Sequence, residues 1–343
     1  YKRTVIVSPA GDGSDQQANG AALLQALSTI TDATSTNRYL LKIEPGIYDV
    51  VTTPVMMKPY VDIEGSGVMA TEIKSAGFYT FTKAAVIGAD DAELRSLTVT
   101  SDGGYQDPVA MGIYADRRID FQMRNIEVQA WDALSYTYGI YIKLGGATFE
   151  DVGVEATVDS GGVSCFGIAN EGGLVKMDDV NVASYEGLVN VGIGHVDTST
   201  PPEMIDVDVT VSGGNSAQGI RSTDASPQMT NVRVEVSLAE YGYAIYNGGA
   251  SSAPVLNNVV AASTGSGTWD YGLYNADGSA TITIDRSTLS GDTYSIRNGP
   301  QAATTLNIGA SQLDGPINND GGGTFTCVAS YDGAYAALGT NCQ

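Results

Sequence analysis

Acid–base chemistry near neutral pH commonly uses histidine, and this chain of 343 residues holds one, His195, in the stretch GLVNVGIGHVDTST. Asp197 follows two residues later, but no nucleophile completes a triad-like pattern around it. Carboxylates are far more numerous, and several recur beside aromatic residues. GGYQDP supplies Tyr105 and Asp107, and QAWDALSY supplies Trp131, Asp132 and Tyr136. SYEG supplies Tyr185 and Glu186, AEYG supplies Glu240 and Tyr241, and TWDYG supplies Trp269 and Asp270. Both tryptophans of the chain lie in these segments, each followed by Asp. An aromatic ring can cover the apolar face of a pyranose while a carboxylate accepts its hydroxyls. The competing reading is that the rings pack on their own loops and the acids are solvated neighbours.

Catalysis on a sugar would require more. Glycoside hydrolysis needs two carboxyl groups about 5 to 9.5 Å apart, and Asp107 and Asp132 are the pair that the sequence offers. Lyase chemistry needs a base, and basic residues cluster early, at Arg95, Arg117, Arg118, Arg124 and Lys143. Arg124 and Glu150 share one slot of the repeat described next, so an ion pair accounts for part of that cluster. With one His and three Cys, a metal site built from those ligands is excluded. No cofactor is called for, although Asp-rich turns offer oxygen ligands to loosely held calcium.

These segments recur because the chain repeats. MGIYAD at 111 returns as YGIYIK, FGIANE, VGIGHV, QGIRST, YAIYNG, YGLYNA and YSIRNG. The central Ile or Leu falls at 113, 140, 168, 193, 220, 245, 273 and 296, a mean step of about 26. A second beat runs between: LRSLTV, MRNIEV, FEDVGV, MDDVNV, MIDVDV, MTNVRV and LNNVVA. Strand-type alternation at a fixed period of this length specifies a β-solenoid. Leu94, Met123, Phe149, Met177, Met204, Met229 and Leu256 share one apolar slot and should form an inward column. The methionines are core filler. Ser96, Asn125, Asp151, Asp179, Asp206, Asn231 and Asn258 share a slot suited to a sharp bend. Two residues after the central Ile or Leu come Asn170, His195, Ser222, Asn247, Asn275 and Asn298. His195 is thereby expected to be a turn residue standing in an asparagine ladder, with a structural task. One residue after the central Ile, Tyr114, Tyr141, Tyr246 and Tyr274 stand with Arg221 and Arg297 in a column expected to point outward and stack along the sheet face.

Composition narrows the partners. The net charge of −22 repels phosphate backbones and anionic lipid, so nucleic acid and membranes are poor partners, and neither nucleic-acid binding nor membrane insertion is expected. No apolar run reaches the roughly 20 residues that span a bilayer. Tyr1 is expected to follow a removed leader or tag. Cys327 and Cys342 are spaced to close a short disulfide loop, which points to an exported, secreted or cell-surface protein; Cys165 lies in a core-like stretch as a buried thiol. Residues 14–30 carry Leu23, Leu24, Leu27 and Ile30 at helical spacing behind the possible N-caps Ser14, Asp15 and Asn19.

The stretches TVIVSPAGDGSDQQANGAALLQALSTI, RYLLKIEPGIYDV and VDIEGSGVMATEI resemble the opening of the pectin lyase-like proteins, in particular the pectinesterase IxPGxY strand–turn and xGxGxxxT turn. The resemblance covers residues 4–75 and implies a right-handed parallel β-helix acting on polysaccharide. The catalytic motifs depart from it. Pro108 stands where pectinesterases have Gln, Gln106 is displaced, and Gln129 and Asp132 only echo the GYQDTLY stretch. The polygalacturonase RIK motif is missing.

The sequence thus specifies an all-β fold: one domain over 1–343, a right-handed parallel β-helix of about ten coils. It comprises an N-terminal capping helix and first coils (1–75), regular coils (76–317) and a C-terminal cap (318–343). The leading function is polysaccharide binding along the aromatic and acidic loop edge. A diverged lyase, esterase or glycoside hydrolase is one alternative, and a structural, adhesive or phage-spike-like module is another. Whether the protein is an enzyme, and whether it is a monomer or a trimer, is left open by the sequence.

Overall fold

The computed structural model describes residues 1–11, 13–78, 80, 82–104, 106–158, 164–265 and 267–342. Tyr105 lies outside the described residues. The chain forms an all-β parallel solenoid of about ten turns in all, with one helix. Two compact units are distinguished, residues 1–168 and 169–343.

In the first unit the repeat produces two strands per coil. The longer strand bends and belongs to the first sheet, as in Glu93–Asp102, Phe121–Trp131 and Gly146–Thr157. The shorter belongs to the second sheet, as in Val109–Asp116 and Tyr136–Lys143. Neighbouring coils pair in parallel without slippage, so like positions stack: Leu94 on Met123 on Phe149, all buried. Burying such columns from coil to coil is what stabilises each coil, since one coil alone covers too little apolar surface.

The bend in each long strand falls where the sequence places its short polar slot. Ser96, Asn125 and Asp151 have φ of 55°, 48° and 55°. This left-handed region is costly for most residues and mild for Asn and Asp, whose side chains bond locally. Buried residues flank the bend on both sides, so the strand turns a corner without leaving the core.

The expected helix runs Gln16–Thr29. Its cap is Asp15, whose side chain accepts from the Ala18 amide at 3.0 Å. Asn19 serves a different purpose: its Oδ1 accepts from the Ala10 amide, and its Nδ2 donates to the Gly13 and Ile47 carbonyls. Leu23, Leu27 and Ile30 are buried, while Leu24 is partly exposed. The helix packs on the strand Gly46–Asp49 at Gly20, where an added Cβ would sit 2.0 Å from the Asp49 carbonyl oxygen.

The second unit repeats the scheme. Met177, Met204, Met229 and Leu256 are stacked in register and buried. Asp179, Asp206, Asn231 and Asn258 have φ of 52° to 56° at the bend. Their side chains also link coils: Asn231 Nδ2 donates to Asp206 Oδ1 at 2.9 Å, and Asn258 Nδ2 donates to Asn231 Oδ1 at 2.8 Å.

The asparagine ladder lies inside this unit and corrects one expectation. His195 is within the strand Val189–Val196, not at a turn; the left-handed residue of that corner is Asp197. Pairing aligns His195 with Ser222, Asn247, Asn275, Asn298 and Asn319. Asn275 Nδ2 donates to Asn298 Oδ1 at 2.7 Å, and Asn298 Nδ2 to Asn319 Oδ1 at 3.2 Å. His195 is fully buried, with Nδ1 3.2 Å from Asn170 Nδ2. Because that amide nitrogen can only donate, Nδ1 accepts and the ring is neutral. Burial pushes its pKa down to about 4.

The Cys327–Cys342 disulfide is formed, with Cα atoms 5.1 Å apart. Cys165 is a buried free thiol. Among the described residues no helix is long and apolar enough to cross a membrane, and no group of three or more His, Cys, Asp or Glu is arranged to hold a metal ion.

Candidate functional site

The aromatic–acid segments fall at one recurring place, the corner from a long first-sheet strand into the next second-sheet strand. In the first unit Trp131 ends a long strand, Asp132 turns the corner at φ 61°, and Tyr136 begins the next strand. The corner is tied to the preceding coil. The Leu134 amide donates to the Asp107 carbonyl at 2.9 Å, and the Ser135 and Tyr136 amides donate to the Pro108 carbonyl. Asp107 also lines a cleft of about 320 Å³ together with Asp49, Lys74, Asp102 and Gln106. Asp132 does not line that cleft, whose further carboxylates are Asp49 and Asp102 instead.

In the second unit Glu186 makes the same corner at φ 68°, directly after Tyr185 at its strand end. Asp132 and Glu186 thus share a backbone task that accounts for a short or flexible polar residue there. Gly213, Leu238 and Gly265 serve the same position in later coils. Tyr241 and Trp269 occupy the start of their second-sheet strands and are paired in register. Asp270 follows Trp269 along the strand and so points to the opposite face. It is buried, accepts from the Ser263 hydroxyl at 2.7 Å, and its amide donates to Thr293 Oγ1. The expected ring-plus-carboxylate grip at Trp269–Asp270 is therefore absent: the ring faces outward and the acid inward.

What the corners lead into is an aromatic array on the second-sheet strands of each unit. In the first unit Tyr136, Tyr138 and Tyr141 lie along one strand, with ring centroids 6.1 and 5.3 Å apart, and Phe166 stacks on Tyr138 at 5.0 Å. Tyr114 lies 5.5 Å from Tyr141. In the second unit the strands Tyr241–Gly248, Trp269–Gly278 and Tyr294–Ala302 carry the larger array. Tyr243 stacks on Tyr271 at 5.2 Å, Trp269 lies nearly parallel to Tyr271 at 6.2 Å, and Tyr271 stacks with Tyr294 at 6.0 Å. Tyr246 and Tyr274 form the adjoining column, 5.8 Å apart.

Arg297 stands among these rings. Its guanidinium carbon lies 5.7 to 5.8 Å from the centroids of Trp269, Tyr271, Tyr274 and Tyr294. It donates to the Tyr271 hydroxyl at 2.8 Å and pairs with Asp320 at 3.0 Å. Burial, followed by the neighbouring tyrosines, pushes the Tyr243 hydroxyl up to about 12, and burial also raises Tyr246 and Tyr271. The phenols therefore stay protonated at ordinary pH and can donate hydrogen bonds. Rings, phenol donors and a cation on one surface suit a hydroxyl-rich ligand with apolar faces.

The column of Tyr138, Phe166, Tyr243, Tyr271 and Tyr294 is not among the residues singled out from the sequence. Its signal is the first letter of the repeated YGIY-type segment, always two residues before the central apolar residue.

The sequence matches no family model and no curated protein. The fold does match solved structures. A tailspike protein named Dettilon is superposed with a TM-score of 0.55 at 12% identity, over 92% of this chain and 68% of that one. The catalytic domain of a GH87 α-1,3-glucanase, solved in complex with tetrasaccharides, gives 0.55 at 10% identity, over 98% and 67%. The A-module of a mannuronan C-5 epimerase from Azotobacter vinelandii gives 0.51 at 14% identity, over 92% and 93%. These are right-handed β-helices, and the present chain has that pectin lyase-like fold.

Proposed function

We propose that this protein is an exported polysaccharide-binding β-helix, and that the ligand lies along the outer face of the second sheet. The observation that carries this reading is the ladder of Tyr243, Tyr246, Trp269, Tyr274 and Tyr294 around Arg297, packed about Tyr271, which is itself buried. A polymer of repeated rings matches a surface of repeated rings, and each coil adds one more step. Structures sharing the fold include a glucanase solved with tetrasaccharides and an epimerase named for mannuronan, which agrees with a glycan ligand. The disulfide agrees with an oxidising compartment. The cleft that Asp107 shares with Asp49, Asp102 and Lys74 supports a second reading, in which a bound chain is also cut.

A polysaccharide panel tests both, with released reducing and unsaturated ends measured in the same wells. Wild type should bind at least one glycan. Trp269→Ala and Tyr274→Ala should each weaken it about fivefold or more, since a ring contact contributes on the order of 1 kcal/mol. Released ends that vanish in Asp107→Asn would establish the second reading. Binding unchanged in both ring variants would overturn the proposed face.

A further inference from the structure

Polar side chains interrupt the aromatic face on the strand Ser216–Thr223. Gln218 pairs in register with Tyr243, and Arg221 with Tyr246. Positions three apart on this face are neighbours, since the Tyr243 and Tyr246 rings are 5.6 Å apart and the Tyr271 and Tyr274 rings 5.1 Å apart. The Gln218 amide and the Arg221 guanidinium occupy the same two positions one coil earlier, so they stand side by side.

Arg221 is the exception among the basic residues of its unit. Residues 169–343 contain five Lys and Arg. Lys176, Arg233, Arg286 and Arg297 each pair with a carboxylate. Arg221 pairs with none among the described residues, in a chain with a net charge of −22. Its Nε is covered and has no hydrogen-bond partner among those residues, and the same holds for Gln218 Oε1. The other end of that amide is engaged, with Nε2 donating to the Ser216 hydroxyl at 3.3 Å. A donor and an acceptor left unmet side by side cost stability, and each calls for an explanation.

We propose that Gln218 and Arg221 form a subsite for an N-acetylated amino sugar, whose ring lies on Tyr243 and Tyr246. The inference rests on the polysaccharide reading above and names the sugar class. An acetamido group offers one N–H and one C=O in a single plane. Guanidinium can only donate, and Gln218 Oε1 can only accept, so the carbonyl goes to Arg221 and the N–H to Gln218. A carboxylate offers acceptors alone and would set oxygen against Gln218 Oε1. A hydroxyl can also donate to one group and accept from the other, but at a single oxygen, whereas the acetamido group presents the two functions on separate atoms. Presenting Oε1 to the ligand requires the Gln218 amide to turn about its soft terminal torsion and release the Ser216 hydroxyl.

The test measures binding to N-acetylhexosamine-containing polysaccharides, the same polymers after chemical de-N-acetylation, neutral hexose polymers and uronate polymers. High salt screens the attraction of free amines to so acidic a protein. Wild type should prefer the acetylated polymer over its de-acetylated copy by about tenfold, the size of effect expected for a pair of hydrogen bonds. Gln218→Leu and Arg221→Met should lose that preference while keeping the wild-type melting temperature. Trp269→Ala should weaken binding while keeping the preference. Binding of hexose or uronate polymers with no gain from acetylation would overturn the subsite and leave the polysaccharide reading standing. Binding to no glycan at all would overturn both.

Discussion

His195 shows how much a residue's surroundings decide its chemistry. It is buried in a ladder of amides, neutral, and ionises only near pH 4 when folded, against 6.5 for an exposed imidazole. Between those values the unfolded chain binds the extra proton, so stability falls as pH falls through that window. Complete loss amounts to about 3 kcal/mol. Urea unfolding of wild type and His195→Asn from pH 7.0 to 4.0 checks this, with Asn expected to remove that part of the pH slope while retaining the ladder. The structural nature of His195 was legible in the sequence from its Asn-rich column. Its place inside a strand was not, because a repeat fixes which residues stack and says less about where the backbone turns. Asp270 departs from its sequence reading for a related reason. A Trp–Asp dipeptide looks like a joint grip on a sugar, yet alternation along a strand sends its two side chains to opposite faces.

At the level of elements, left-handed residues stand at up to three corners of a coil among the described residues, and the sequence revealed one of these corners clearly. The bend slot shows as a run of Ser, Asn and Asp, because those types tolerate positive φ. The corner entering the second sheet is masked, because Asp132, Glu186, Gly213, Leu238 and Gly265 share no evident type. Acids at that corner look like ligands in the sequence, yet they also meet a backbone demand. Leu238 is the mismatch: φ is 56° and the side chain is 73% exposed, so packing returns little for the strained backbone. Leu238→Asn should stabilise the protein by about 1 kcal/mol, the usual penalty for a branched residue in this region. Thermal melts of the two proteins decide it, and an unchanged or lower melting temperature would argue against strain at that corner. The aromatic face was half legible. The Tyr246 and Tyr274 column is legible in the sequence as simple stacking, while the Tyr243 and Tyr271 column is not, since a Tyr beside Gly in a strand has no distinctive chemistry until coils bring several together.

Across the whole molecule, periodicity did most to reveal the fold. A step of about 26 residues, sustained through the chain, specifies a solenoid more firmly than any single motif, and the structure agrees. The same scale carries the strong negative charge. With 39 acids against 17 Lys and Arg, the folded chain repels itself. Salt shortens the range of that repulsion from about 30 Å at 0.01 M to about 3 Å at 1 M. The melting temperature is therefore expected to rise with sodium chloride over that range; a fall would mean that the ion pairs contribute more than the net repulsion costs. The in-register stacking has one more consequence. Inward columns and corner residues hold each coil to its neighbours, whereas the outward positions of the second sheet answer to whatever lies on the surface. Recognition can therefore drift one coil at a time with little penalty to folding. Duplication of a single coil would lengthen the binding track by one step, leaving the joints on either side chemically familiar.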